Sequence, residues 1–213
     1  MNLFIIGDIH GCFRTFKNLL EHWDRENELL IQLGDLIDRG NYSPETVKLC
    51  RELKSRYANA IFLKGNHEQL AVQYNGNRKS KWYIHYGEKV LWQYHLEERN
   101  FDDDVKWFST LPDYWENEAV FVSHAGVSES IHWNDEEHPD GLIWNRSPLK
   151  HIGKLQIIGH TPQKDSATYT NASHSWNIDT GAYLGRKLSG IKLKENGELV
   201  EILSEPTVKS DIV

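Results

Sequence analysis

The stretch LFIIGDIHG at residues 3–11 decides the fold, because a short apolar run passes there directly into a glycine-flanked polar turn. The run Leu3–Ile6 is continuous and apolar, which favours a buried β-strand. The same arrangement recurs twice further along the chain, in LLIQLGDLIDRG at 29–40 and AIFLKGNHE at 60–68. Three strands, each ending in a polar turn, are therefore predicted in the first third of the protein.

Segments with helical character separate these strands. After the first turn, apolar residues recur at helical spacing and indicate one buried helix face: Phe13, Phe16, Leu19, Leu20 and Trp23. After the second turn, Ser43 is predicted to be an N-cap, with Pro44 in the first position of a helix that reaches Arg56. Strands that alternate with helices predict parallel βαβ units. Ligands bind beyond the carboxyl ends of such strands, so the three polar turns should converge on one site.

Two later strands end in the same kind of turn. Ala119–Ser123 runs into His124-Ala125-Gly126, and Leu155–Ile158 runs into Gly159-His160-Thr161. Near the end of the sequence, apolar runs at 188–193 and 199–203 flank Asn196-Gly197, a dipeptide that favours a tight antiparallel hairpin. The fold class is therefore predicted to be α/β, with a mixed sheet that is parallel early and antiparallel late.

No internal repeat, low-complexity tract or proline-rich linker divides the chain. Residues 1–213 are therefore predicted to form one domain. Within it, the aromatic stretch from about 70 to 111 is predicted to be a helical cap over one side of the fold.

The composition excludes several classes of protein. Against 24 basic residues stand 31 acidic ones, and the resulting formal charge of −7 argues against nucleic acid as a partner. A hydrophobic share of 39% is enough to form a core. Cys12 and Cys50 provide no disulfide framework and fit a reducing cytoplasm. No stretch has the pattern of a signal peptide or a membrane span, so no membrane partner is expected.

The polar turns contain a set of oxygen and imidazole donors without any thiolate, which argues against a structural zinc site. The set comprises Asp8, His10, Asp35, Asn66, His124 and His160. Six donors are too many for one catalytic ion with open positions, whereas two divalent ions that share a bridging carboxylate would use them all. Such pairs of ions suit in-line displacement at phosphorus, because they polarise phosphoryl oxygens and lower the pKa of a bridging water.

The ordered set GDIHG, GDLIDRG, GNHE, HAG and GHT, which runs from Gly7 to Thr161, resembles the metallophosphoesterase superfamily. Within it the chain is similar to the phosphoprotein phosphatase family, and in particular to its compact bacterial and phage serine/threonine phosphatases. This resemblance implies a four-layer αββα arrangement, in which a sandwich of mixed β-sheets is flanked by helices. It also implies a dinuclear metal centre in which manganese is the first choice and iron or zinc are alternatives.

Carried over residue by residue, the resemblance implies a role for each site residue. Asp8 and His10 would ligate the first metal, Asp35 would bridge both, and Asn66, His124 and His160 would complete the second. His67 would be the general acid for the leaving oxygen, oriented by Asp38. Arg39, Arg146 and Asn66 would hold the phosphate, since guanidinium groups suit phosphate oxygens.

Two further positions lie near these motifs. Lys64 stands where several members of the family have arginine, and a lysine offers a phosphate positive charge without a guanidinium fork. Trp144 is predicted to shape the loop that presents Arg146.

Three functions compete at this point. The first is a metal-dependent phosphomonoesterase that hydrolyses phosphoserine, phosphothreonine and also phosphotyrosine in proteins or peptides, by direct attack of a hydroxide held between the metals. The second is a symmetrical dinucleoside polyphosphate hydrolase of the diadenosine tetraphosphate type. Those enzymes tend to show Ala-Arg-Gly where this chain has Asp38-Arg39-Gly40, which favours the first function. The third, a catalytically inactive metal-binding module, is disfavoured because no ligand is missing.

Overall fold

The computed structural model describes residues 1–213 and consists of ten β-strands and five α-helices with short helical turns between them. The strands are β1 Asn2–Ile6, β2 Glu28–Gln32, β3 Ala60–Phe62, β4 Tyr114–Glu116, β5 Val120–Ser123, β6 Leu155–Ile158, β7 Thr168–Thr170, β8 Ser175–Asn177, β9 Lys187–Leu193 and β10 Leu199–Pro206. The helices are α1 Phe13–Leu20, α2 Ser43–Arg56, α3 Asn66–Tyr74, α4 Glu88–Leu96 and α5 Phe101–Phe108. A π-helical turn spans Tyr83–Gly87, and 3-10 turns span Ala182–Leu184 and Lys209–Asp211.

The strands form two five-stranded sheets rather than the one sheet that the apolar runs indicated. The first sheet has the order β10-β9-β1-β2-β3, and the second has the order β4-β5-β6-β8-β7. Both are mixed: β1, β2 and β3 are parallel to one another, as are β5, β6 and β8, while the remaining neighbours are antiparallel. The predicted α/β sandwich of mixed sheets flanked by helices is confirmed. The predicted hairpin is present as β9 and β10.

Strand β1 shows how the two layers are held together. Its side chains alternate between the faces of the sheet, and both faces are buried. Leu3 and Ile5 belong to a core between the two sheets that also includes Val122 and Ile157 from the second sheet. Phe4 and Ile6 belong to a second core that the helices cover. Because both faces of β1 are apolar, its sequence is a continuous hydrophobic run instead of an alternating one.

The outer faces of the two sheets are covered differently. Helices pack on the first sheet, with α1 against β9 and β10 and α2 against β3. Over the second sheet the cover is an irregular loop, in which Val127 and Leu142 pack on Phe121. The loop that carries Trp144 and Arg146 therefore belongs to the cover of the second sheet, which places it beside the strands that end in His124 and His160.

The predicted N-cap at Ser43 is wrong by one residue. Tyr42 is the N-cap and Ser43 is the first residue of α2, which ends at Arg56 as predicted. The hydroxyl of Ser43 accepts a hydrogen bond from the backbone N–H of Asp38 at 3.1 Å instead of capping its own helix. Helix α2 thereby contacts the polar turn that precedes it.

The stretch between 70 and 111 is helical in most of its length, in the second half of α3, the π-helical turn, α4 and α5. Its role as a cap, and the treatment of 1–213 as one domain, stay predictions. None of the helices in the chain combines the length and the apolar character needed to span a membrane.

Candidate active site

The polar turns that follow β1, β2, β5 and β6 bring their side chains to one place, at the carboxyl ends of the strands. The backbone in these turns is unusual, because five of the predicted site residues have positive φ angles, a conformation that costs energy for residues other than glycine. They are His10 (48°), Asp35 (55°), Asp38 (73°), Arg39 (67°) and His160 (67°). Only eight non-glycine residues in the whole chain have positive φ. Backbone strain is therefore concentrated at the site.

The carboxylate of Asp35 lies at the centre of the site. Its Oδ2 atom is 3.3 Å from Nε2 of His10, 3.5 Å from Nε2 of His124 and 3.9 Å from Nε2 of His67. Two groups of donors share this residue, and in each group the ligand atoms lie within 4.8 Å of one another. The groups are His10, Asp35 and His67, and Asp35, His124 and His160.

The protonation of the imidazoles shows that this centre suits cations. Nδ1 of His10 is 3.0 Å from the carbonyl oxygen of Ile37, and Nδ1 of His124 is 3.0 Å from that of Leu33. A carbonyl can only accept, so Nδ1 carries the proton in both rings and the Nε2 lone pair faces the Asp35 carboxylate. Lone pairs that face a carboxylate repel it unless a positive charge lies between them. The donor set therefore fits divalent metal ions bound around Asp35.

Asp8 and Asn66 lie beside these groups: His67, and not the predicted ligand Asp8, shares a group with His10 and Asp35, while Asp8 contacts His160 and Asn66 contacts His124. One oxygen of Asp8 accepts from the backbone N–H of His160 at 3.0 Å, while its buried Oδ1 atom has no partner. Nε2 of His160 is also buried without a partner, and Oδ1 of Asn66 lies 3.0 Å from Nε2 of His124. Orphaned buried polar atoms are rare in proteins, and at a site of this kind they indicate ligands for an ion. A side chain at Gly159 would place its Cβ 2.0 Å from Oδ1 of Asp8, so only glycine fits there.

The electrostatics of these residues follow from burial and from their neighbours. Burial lowers the pKa of His10 to about 3 and that of His160 to about 2, which keeps both imidazoles neutral and able to ligate. Burial alone would raise the pKa of Asp35, but the surrounding histidines, first His124, hold it below its ordinary value. Burial and the neighbouring carboxylate of Asp179 raise the pKa of Asp8. The site thus holds excess negative charge that divalent cations would neutralise.

His67 and Asp38 form a hydrogen-bonded pair at the edge of this centre. Nδ1 of His67 bonds Oδ2 of Asp38, and both side chains are buried. Burial would lower the pKa of His67, but the carboxylates of Asp35 and Asp38 raise it above its ordinary value. A proton on Nε2 is stabilised by this arrangement, which is the state that a general acid requires.

The side chain of Trp82 holds Asp38 from the other side. Its Nε1–H lies 3.1 Å from both carboxylate oxygens of Asp38, and its ring stacks on Phe101 at a centroid distance of 5.1 Å. Trp82 is fully buried. Trp82 lies in the aromatic stretch at 70–111, and its separation of 44 positions from Asp38 explains why no local sequence pattern indicates the contact.

Helix α4 braces the turn that contains Arg39. Nζ of Lys89 donates to the carbonyl of Arg39 at 2.7 Å, and Nε2 of Gln93 donates to that of Gly40 at 2.9 Å. Oε1 of Gln93 also accepts from the backbone N–H of Ser43 at 3.1 Å. These contacts compensate the strained backbone of the turn. Helix α4 therefore supports the site directly.

Glu68 is a second residue that the sequence analysis did not assign. Its carboxylate accepts backbone N–H bonds from Gly65, Asp35 and Leu36 at 2.7–2.9 Å and is fully buried. It thus fixes the turn after β2 against the start of α3. The signal was present in the sequence, because Glu68 occupies the third helical position after the N-cap Gly65, where a capping-box glutamate is expected.

The predicted phosphate-binding residues surround the centre. The guanidinium of Arg39 lies over the ring of Tyr183 at 4.1 Å and over that of Tyr86 at 5.4 Å, with Nη2 at 3.5 Å from Nε2 of His67. Arg146 is exposed and donates to the hydroxyl of Thr161 at 3.2 Å. The structure therefore places both guanidinium groups in the wall of the cavity that contains the candidate metal donors. Tyr183, like Asp179, belongs to the DTGAYLG stretch at 179–185, to which the sequence analysis gave no role.

The ammonium group of Lys64 contacts carboxylates and is not directed towards the predicted phosphate-binding residues. Nζ of Lys64 is 2.9 Å from Oε2 of Glu136 and 3.5 Å from Oδ1 of Asp113, and the side chain is only 7% exposed. The carbonyl of Glu136 in turn accepts from Nε1 of Trp144 at 2.9 Å. Lys64 thus ties the loop that carries Trp144 and Arg146 to the end of β3.

This fold and this site define a metallophosphoesterase: two mixed sheets in a sandwich, with carboxylate, amide and imidazole donors at the strand ends. The model of the calcineurin-like phosphoesterases matches residues 1–193, and the chain belongs to this family. The resemblance of the polar motifs to metallophosphoesterases is thereby confirmed. The chain is a metal-dependent phosphatase, and its family uses divalent metals.

Relatives of two kinds are similar to the chain over almost its whole length. An asymmetrical bis(5'-nucleosyl)-tetraphosphatase of Bacillus cereus strain AH187 is 28% identical, over 95% of this chain and 93% of the relative. Serine/threonine-protein phosphatase 1 of Salmonella typhimurium is also 28% identical, over 88% of this chain and 90% of the relative. Among solved structures, a proposed diadenosine tetraphosphatase superposes with a TM-score of 0.70 at 20% identity, covering 98% of this chain and 94% of that one. The last likeness shows the fold alone.

Proposed function

We propose that the chain is a phosphomonoesterase that hydrolyses phosphoserine and phosphothreonine in proteins or peptides, and phosphotyrosine in addition. The observation that supports this most is the buried pair formed by His67 and Asp38. Serine and threonine leave as strongly basic alkoxides, which need a proton as the bond to phosphorus breaks. A nucleotide leaves from a phosphoanhydride as a much weaker base, for which a proton donor matters less.

In this proposal each polar turn has one task. Asp8, His10 and Asp35 would hold one divalent cation, and Asp35, Asn66, His124 and His160 would hold the other, with manganese as first choice. When bound, the cations polarise the phosphoryl oxygens and supply an activated water. The guanidinium groups of Arg39 and Arg146, with the amide of Asn66, bind the remaining phosphoryl oxygens and fix their orientation.

The imidazolium of His67 then donates its Nε2 proton to the leaving oxygen, while its Nδ1–H stays bonded to the Asp38 carboxylate, which holds the ring in place. Trp82 keeps the Asp38 carboxylate in place through Nε1–H. The aromatic rings on either side of Arg39 restrict its guanidinium, so less conformational entropy is lost when phosphate binds.

The cellular compartment and the partners of the enzyme are part of the same proposal. Cys12 and Cys50 are both free and buried, which supports a reducing compartment such as the cytoplasm. Phosphoproteins or phosphopeptides are the proposed partners.

A second candidate is hydrolysis of dinucleoside polyphosphates, which the names of the Bacillus relatives favour. A cavity of about 650 Å³ beside His67, with Trp144 in its wall, provides room for a nucleotide and a ring on which a base can stack. The cavity alone does not favour a nucleotide over a peptide, because a peptide side chain would fit into the same space.

A substrate panel separates these candidates. Manganese-loaded protein is assayed with a phosphothreonine peptide, a phosphotyrosine peptide, p-nitrophenyl phosphate and diadenosine tetraphosphate, and metal content is measured on the same preparation. We expect kcat/KM for the phosphothreonine peptide to exceed that for diadenosine tetraphosphate at least tenfold. The reverse order would establish the second candidate, and the products, two ADP or ATP with AMP, would give the position of cleavage.

A further inference from the structure

Two cavities meet at the active site, and four residues belong to both. The smaller, about 110 Å³, is lined by His10, Asp35 and His160 and contains the metal-binding donors. The larger, about 650 Å³, opens towards the π-helical turn and the loop of Trp144. The shared residues are Arg39, Asn66, His67 and Arg146. A phosphoryl group bound by these shared residues would therefore lie at the boundary between the two cavities.

The position of His67 assigns a role to the larger cavity. A residue that protonates the leaving oxygen must lie on the side to which the leaving group departs. His67 lines both cavities, so a leaving group that accepts its proton extends from the small cavity into the large one. What the large cavity can bind therefore decides which leaving groups the enzyme accepts.

The charge in the wall of the large cavity is positive, although the chain as a whole carries a formal charge of −7. Its wall contains Arg39, Lys81 and Arg146 against one acidic residue, Glu137. Seven lysine and arginine side chains elsewhere in the protein are paired with carboxylates, as Lys154 is with Glu116 at 2.7 Å. No carboxylate lies within 4 Å of a charged nitrogen of any of the three cavity cations. Their charge is available to a ligand.

Lys81 is the cavity cation whose position is fixed by its neighbour in the sequence. The neighbouring Trp82 is fully buried and bonds Asp38, so the backbone at 81–82 is tied to the catalytic pair. His85 and Tyr86, one turn further on, line the same cavity. Arg39 and Arg146 line both cavities, whereas Lys81 lines only the large one.

We propose that the large cavity is a leaving-group site that selects substrates with a second negative charge close to the scissile phosphate, and that Lys81 is the residue that reads this charge. The inference rests on the proposed function and makes it more specific: the preferred substrate is a phosphoserine or phosphothreonine peptide with an aspartate or glutamate next to the phosphorylated residue. A polyphosphate chain supplies the same chemistry, so the experiment includes one.

The test compares three phosphothreonine peptides that differ only in the flanking residue, which is glutamate, alanine or lysine. Diadenosine tetraphosphate and p-nitrophenyl phosphate are assayed in parallel, all with manganese-loaded protein at low ionic strength. The variants are Lys81→Gln, Lys81→Glu and the control Lys79→Gln, which removes a lysine two residues away that does not line the cavity.

We expect the unmodified protein to favour the glutamate peptide over the alanine peptide about threefold in kcat/KM, the size of one solvent-exposed ion pair. Lys81→Gln should abolish this preference and Lys81→Glu should reverse it, while Lys79→Gln should retain it. Turnover of p-nitrophenyl phosphate should be equal in all four proteins, because its leaving group carries no second anionic group. The preference should weaken at 0.5 M salt because of screening.

The inference is overturned if the unmodified protein does not distinguish the three peptides, or if the preference survives in Lys81→Gln. The proposed function fails in a different way, by absence of turnover of every peptide. If the peptides are inert and Lys81→Gln lowers the turnover of diadenosine tetraphosphate about threefold, the second charge comes from a phosphate chain. In that case Lys81 selects substrates by charge, but the second negative charge does not come from a peptide.

Discussion

The turns that bear the metal donors and the outer wall of the large cavity differ in almost every physical respect. Asp8 and Asp35 are 2% exposed and His67 is 3% exposed, and the backbone around them is strained and hydrogen-bonded on all sides. Lys81 and Arg146, in the outer wall, are exposed, and neither has a carboxylate partner. The first region is built for one geometry, while the second presents charge to solvent.

This difference separates the interactions that decide the rate of the chemical step from those that decide substrate selectivity. In the buried turns a lost partner leaves a polar group without water, which costs several kcal/mol. In the exposed wall the same loss is screened and costs about 1 kcal/mol or less. Substitutions in the turns should therefore change kcat by orders of magnitude, and substitutions in the wall should change substrate preference a few fold.

The strongest test of this contrast is His67→Asn. We expect kcat on a phosphothreonine peptide to fall by about 10²–10⁴, with a small change in KM, because proton donation matters only in the transition state. The loss should be much smaller with p-nitrophenyl phosphate, whose leaving group needs no proton. Steady-state kinetics on both substrates measure this. An equal loss on the two would remove His67 from the acid role.

A second test measures the reactivity of Cys12, which is buried behind the polar turn that follows β1. Cys12 follows Gly11 directly, is fully buried, and burial raises the pKa of its thiol from 9.0 to about 12. A higher pKa leaves less thiolate at pH 8, by about 1000-fold for a shift of this size, and the thiolate is the reactive form. We therefore expect a thiol reagent to label native protein far more slowly than protein in denaturant.

The measurement is the labelling rate of Cys12 at pH 8, with Cys50, whose thiol pKa burial also raises, replaced by alanine. Rapid labelling of the folded protein would show that the turn opens readily. It would contradict the statement that the buried turns have one fixed geometry, unlike the exposed wall.

Trp82→Phe examines the contact that joins the two regions. Phenylalanine keeps an aromatic ring in the buried position but removes the Nε1–H that Asp38 accepts. A hydrogen bond to a charged group contributes about 1.5–3 kcal/mol, so we expect kcat to fall about tenfold or more. Without that donor the carboxylate binds protons more readily, and the pH profile of kcat should shift with it.

Trp92→Phe is the matched control, because Trp92 lies on α4 and is 60% exposed. Equal losses in the two variants, or an unchanged pH profile in Trp82→Phe, would mean that Trp82 supports only the packing of the helices between 70 and 111.

The smallest effect is expected for Glu136→Gln, which removes the carboxylate that pairs with Lys64. The loop of Trp144 and Arg146 should then be held less firmly, so KM and the inhibition constant of inorganic phosphate should rise about threefold with little change in kcat. Trypsin should also cleave after Arg146 more quickly. Glu116→Gln is the control, since Glu116 pairs with Lys154 and is similarly exposed, 43% against 41%. A fall in kcat without a change in KM would contradict this role.

Much of the buried region could be predicted from the sequence, because its signals are local. Runs such as Leu3–Ile6 predicted strands within one residue of their observed ends, and the glycine-flanked turns after them predicted the meeting of Asp35 with His124. Even the unassigned Glu68 carried a local signal as a capping-box residue. The short strands β4, β7 and β8 were missed, because three residues without an apolar run form no detectable pattern.

The contacts that position the site could not be predicted in this way. The indole of Trp82 reaches Asp38 across 44 residues, and Lys64 reaches Glu136 across 72. Nothing in the neighbouring sequence requires either contact, and the apolar runs alone indicated one sheet where the chain forms two. The expectation that Ser43 caps α2 failed for the same reason, since its hydroxyl serves the backbone of Asp38 instead.

By itself the amino-acid sequence determined which residue types stand at the ends of which strands, and hence the class of chemistry. This is so because strand, turn and ligand are set by interactions among neighbours a few residues apart. Only the tertiary structure decided which side chains hold Asp38 and Arg39 in place, and which charges line the cavity beside His67. Those choices depend on how the helices between 70 and 111 and the loop over the second sheet pack, and packing is determined by the whole chain at once.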